Sequence, residues 1–93
     1  MTGALNFTGP KRELLDGWAR EVVIGDQKYA CRVKRGESVR IPYKPRGKNR
    51  GWIWYGSVYR MSEPFGRLWE DRVPSSIGCR GLLSRAGLLE APQ

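Results

Sequence analysis

Residues 51–60, GWIWYGSVYR, carry large strand-forming side chains at both odd and even positions. If the run is extended, Trp52, Trp54 and Val58 point one way and Ile53, Tyr55 and Tyr59 the other, because successive side chains of a strand alternate between faces. Bulky groups on both faces mark a central strand covered on both sides, so the rest of the chain has to supply its neighbours. Two amphipathic segments precede it. Tyr29, Cys31 and Val33 alternate with Lys28, Arg32 and Lys34; beyond a turn at Gly36, Val39, Ile41 and Tyr43 alternate with Ser38 and Arg40. With both apolar triplets turned to the core, Lys28, Arg32, Lys34 and Arg40 share the opposite, wet face.

The remaining elements read less evenly. Residues 18–24 are rich in strand formers and run into Gly25-Asp26, where a glycine in the first loop position suits the type II′ turn of a two-residue hairpin. Leu14, Trp18 and Val22 at spacing four also fit a helix, so residues 17–24 stay open between helix and strand, with strand favoured by the turn. Before them, Thr8 or Gly9 as cap and Pro10 as first helical residue start a short helix over residues 11–16. After a turn at residues 62–66, residues 67–73 form the last strand, and Pro74-Ser75-Ser76 starts a C-terminal helix. Cys79, Leu82, Leu83 and Ala86 share one face of that helix, Gly87 closes it, and Gly78 and Gly81 allow close approach to a sheet. The expected fold is α+β: an antiparallel meander of four to five strands, with a short N-terminal helix and a C-terminal helix packed on one face. At 93 residues there is room for one domain, whose ends, residues 1–9 and 90–93, are expected to be flexible.

Charge is concentrated. The chain carries net +8, yet residues 1–31 balance four bases against four acids and residues 51–93 set five bases against four acids. Residues 32–50 hold Arg32, Lys34, Arg35, Arg40, Lys44, Arg46, Lys48 and Arg50 against Glu37 alone, a local +7. Residues 44–50 contain no apolar side chain and read as an exposed loop. Such a block attracts phosphate backbones or acidic protein surfaces, although charge runs of this length also occur as plain solvated loops.

Groups suited to catalysis are sparse. Histidine is absent, and most of the nine acids stand beside cations. Cys79 and Arg85 match the C-x5-R spacing of phosphate-gripping cysteine enzymes, but the apolar stripe explains Cys79 better as core. Serine capping explains Ser75 and Ser76 better than phosphate binding does. Two cysteines without histidine support neither a zinc site nor a disulfide framework; no cofactor and no metal are expected. No apolar run is long enough for a membrane span or a secretory leader, so a cytoplasmic location is expected.

The reading that joins most of these features is a non-enzymatic nucleic-acid-binding module for DNA or RNA. Arg32, Lys34, Arg35, Arg40, Lys44, Arg46, Lys48 and Arg50 would hold phosphates, and Trp52, Tyr55 and Tyr59 would stack on bases. Arg50-Gly51-Trp52 and Trp54 share part of a basic-glycine-aromatic order found in RNA-binding sheets, but Ile53 and Ser57 break the pattern, and no family is assigned. The rival is a small protein-binding modulator or inhibitor, of the kind phages and mobile elements carry. It would dock the same patch on an acidic or nucleic-acid-binding surface of a larger complex.

Overall fold

The computed structural model describes residues 5–7, 9–40 and 50–89, without the side chains of Val39, Arg40 and Arg50. These residues form six strands and one helix: β1 (Leu5–Phe7), β2 (Arg12–Leu14), β3 (Gly17–Ile24), β4 (Gln27–Arg40), β5 (Arg50–Arg60), β6 (Gly66–Val73) and α1 (Cys79–Arg85). The strands make one antiparallel sheet in the order β1-β3-β4-β5-β6, a meander from β3 to β6. β1 and β2 share the outer edge of β3, β1 opposite Val22, Val23 and Ile24 and β2 opposite Gly17, Trp18 and Ala19. Of the ends expected to be flexible, residues 1–4, 8 and 90–93 lie outside the described residues.

The choice between helix and strand at residues 17–24 falls to strand. Ile24 pairs with Gln27 across the two-residue Gly25-Asp26 loop, with Gly25 at φ 64° and no positive φ at Asp26, which agrees with a type II′ turn.

Four expectations are corrected. No helix forms over residues 11–16; Arg12–Leu14 is strand β2, turned into β3 through Leu15 and Asp16. An isolated helical turn pays for nucleation with few bonds, whereas the edge of β3 offers a ready ladder, and the Asp16 carbonyl accepts the Arg35 N–H at 2.6 Å. Gly36 is not a turn either. β4 runs on past it with one extra residue between the pairs Arg35–Trp54 and Ser38–Trp52. This bulge resets the alternation, so the backbone of Arg40, paired with that of Arg50, is one step out of phase with Arg32 and Lys34. The helix start is also displaced: Ile77 N–H closes a turn on Pro74, and Gly78, not a serine, is the N-cap, with no side-chain hydrogen bond. Finally, among the described residues only one face of β5 is covered by another element, α1.

That covered face holds the core. Trp18, Val22, Tyr29, Cys31, Val33, Val58 and Val73 of the sheet bury against Cys79, Leu82 and Leu83 of α1, with Trp54, Trp69, Leu88 and Leu89 packed around them. Close approach depends on Gly56 of the strand rather than on Gly78. A Cβ at Gly56 would collide with Leu82 and Val73, while one at Gly78 meets nothing within 4 Å. The far end of α1 closes as the sequence implies. Gly87 adopts φ 82°, its N–H bonds Ser84 at 3.0 Å, and Leu88 N–H bonds Leu83 at 2.9 Å, a Schellman ending that folds Leu88 back on the core.

Candidate nucleic-acid interface

Residues paired directly across antiparallel strands share a face. On the side of the sheet away from α1, the register aligns Arg32 with Ser57 and Glu70, Lys34 with Tyr55 and Arg72, and Ala30 with Tyr59 and Arg67. A groove of about 480 Å³ follows β5 there, with Arg32 and Lys34 on the β4 side, Tyr55, Ser57 and Tyr59 along its floor, and Arg67 and Glu70 on the β6 side. Ser57 is buried between the two half-buried tyrosines. Tyr55 owes its seat to the bulge: its ring fills the space that a side chain at Gly36 would take, so only glycine fits beneath it.

The cations of this face differ in how they are held. Arg32 reaches both carboxylate oxygens of Asp16, at 3.2 and 3.3 Å, across a half-exposed pair. Arg67 pairs with Glu70 at 3.1 Å, and Lys28 with Glu21 at 3.2 Å. Lys34 is exposed and makes no ion pair among the described residues. Two of the sequence-derived candidates are elsewhere. Arg35 and Trp52 follow the alternation of Trp54, on the α1 side, where the Arg35 guanidinium stacks 4.2 Å from the Trp52 ring centroid. Trp52, 44% exposed, borders a second cleft of about 480 Å³ with Trp54, Arg72, Pro74 and Ser75, opened because β6 ends at Val73 while β5 continues. Arg40 and Arg50 pair through their backbones at the far end of β4 and β5, and Lys44, Arg46 and Lys48 lie outside the described residues.

Gly36, Ser57, Arg67 and Glu70 were not among the candidates. Arg67 stands outside the charge block, and only the β5–β6 register, with its irregularity after Val58, brings it beside Tyr59. The glycine, read as a turn signal, marked the bulge instead.

Cys31 and Cys79 meet in the core. The Cys31 thiol, hydrogen-bonded to Cys79 and buried, is pushed far above its ordinary range. Cys79 is drawn down by accepting from Cys31, and by Arg20 and Arg80, against the opposing effect of burial. The residues from Cys79 to Arg85 are helix, with Cys79 buried and Arg85 exposed, so they do not form a loop around an anion. Compared with protein-family models, curated proteins and solved structures, the chain shows no significant match to any of them.

Proposed function

We propose that the chain is a non-enzymatic nucleic-acid-binding module that works through the open face of its sheet. The observation that carries this reading is the groove in which Lys34 and Arg32 stand beside Tyr55 and Tyr59. Cations alone would make an electrostatic surface; cations next to half-exposed rings also offer stacking, the second component of nucleic-acid affinity. Lys34 is the principal phosphate contact of the described part, since Asp16 already engages Arg32 and Glu70 engages Arg67. Lys44, Arg46, Lys48 and Arg50 hold the remaining cations of the basic segment and are proposed as further phosphate contacts. Arg35 and Trp52, stacked on each other on the α1 side, do not line the floor.

The test is oligonucleotide affinity as a function of salt. Binding should fall steeply with salt concentration, and Lys48→Gln with Arg50→Gln should flatten the slope by about 2, one for each phosphate contact removed. Absence of binding at low salt overturns the reading.

A protein-binding reading through a different surface has one observation of its own: Met61, Phe65 and Leu68 are each exposed near the β5–β6 turn, Phe65 at 68%. A partner that needs this tip loses affinity on Phe65→Ser, whereas nucleic-acid binding through the groove does not.

A further inference from the structure

Resting on the nucleic-acid reading, we infer that the ligand is a single strand, laid along β5 with separate bases on Tyr55 and Tyr59. Three features of the groove lead there.

The first is the rings themselves. Tyr55 and Tyr59 sit on one face of one strand, four residues apart, about 13 Å at roughly 3.3 Å per residue. Bases of a duplex are stacked at about 3.4 Å and their faces are covered by neighbours. They cannot stack on two protein rings separated by several times that distance. An unpaired strand, drawn out, can place one base on each ring and a nucleotide between them. Ser57 leaves room for that nucleotide, being small and buried in the floor between the tyrosines.

The second is the support behind Tyr55. Its ring lies against the bulge at Gly36, and Tyr55 also lines the groove. A ring backed in this way keeps its orientation before a base arrives, so little ordering cost attends stacking.

The third is how little unpaired charge lines the groove. On the β6 side Arg67 and Glu70 neutralise each other at 3.1 Å. On the β4 side Asp16 engages Arg32, and Lys34 is left beside Glu37 with no ion-pair partner among the described residues. A duplex presents two rows of phosphates, whereas one unpaired lysine beside the two tyrosines suits a single row.

The experiment uses the full chain and three fluorescent probes at low salt: a 12-nucleotide single-stranded DNA, the RNA of the same sequence, and the corresponding DNA duplex. The single strands should bind at least about tenfold more tightly than the duplex, and the DNA and RNA arms show whether the sugar matters. Tyr55→Ala and Tyr59→Ala should each weaken single-strand binding roughly tenfold, with Tyr55→Phe and Tyr59→Phe restoring it, because the ring and not the hydroxyl stacks. Gly36→Ala, which pushes the Tyr55 ring from its seat, should weaken single strands while leaving the salt slope unchanged.

Equal or tighter duplex binding overturns the single-strand inference and leaves the nucleic-acid reading standing; so does single-strand affinity that ignores both alanine changes. If no probe binds, both fall. The comparison of single strand with duplex needs no variant, so a substitution that fails to fold does not remove the test.

Discussion

The two faces of the sheet are made from the same strands and differ in nearly every other respect. On the α1 side, Val22, Val58, Leu82 and Leu83 are fully buried. On the other side, alternate residues of the same β4 and β5 are Arg32, Lys34, Tyr55 and Tyr59, none of them in the core. Period-two alternation produces the contrast, and it separates the properties that each face controls. Changes on the covered face should move stability and leave ligand affinity alone, whereas changes on the open face should do the reverse.

The largest expected effect on that contrast is at Leu82. Leu82→Ala empties a fully buried site between α1 and the sheet and should cost about 2–5 kcal/mol by chemical denaturation. Folded Leu82→Ala protein should bind oligonucleotide as the parent does. Next is Gly56→Ala, whose methyl group would meet Leu82 and Val73; overpacking of this kind should cost about 1–3 kcal/mol, read from the same denaturation midpoint. On the open face, Lys34→Gln should leave stability within about 0.5 kcal/mol of the parent while lowering the salt slope of binding by about 1. The smallest effect is at Asp16. Its ion pair with Arg32 is half exposed, 37% on each side, so Asp16→Asn should change stability by less than about 1 kcal/mol. Freed from its acid, Arg32 should then raise oligonucleotide affinity slightly. Falling affinity for Asp16→Asn would mean that the pair serves to position Arg32 rather than to restrain it.

The cysteine pair sharpens the same contrast. Cys31, wholly buried and hydrogen-bonded to Cys79, should resist alkylation in the native protein and react at the ordinary rate in denaturant, as mass spectrometry would show.

Much of this division was legible in the sequence because alternation is a local signal. Tyr29, Cys31 and Val33 against Arg32 and Lys34 gave the two faces of β4, and Cys79, Leu82 and Leu83 gave the stripe of α1. The parts that were not legible depend on events that pattern alone does not encode. Gly36 looks the same in sequence whether it turns the chain or bulges it; the outcome depends on β5 running opposite, and with it goes the phase of Arg40. Residues 11–16 have a plausible helix start but too few residues to keep a helix when a strand edge lies alongside. The candidate site shows the same limit. Lys34, Tyr55 and Tyr59 come together as their parity implies. Trp52 and Arg35, neighbours of those residues along the chain, belong to the other face, while Arg67 joins the groove through register from outside the charged block. Large side chains at both parities of β5 read as two covered faces, but tyrosines can close a core or line an open groove, and the side on which α1 packs decides which.

The claim that the open face is the binding face is tested most directly by a two-dimensional NMR titration of the labelled protein with a 12-nucleotide single strand. Resonances of Lys34, Tyr55, Ser57, Tyr59 and Arg67 should shift together, with those of Cys79, Leu82 and Leu83 in α1 nearly unmoved. Shifts confined to α1, to the Trp52–Trp54 cleft or to the tip around Phe65, with the groove silent, would contradict it.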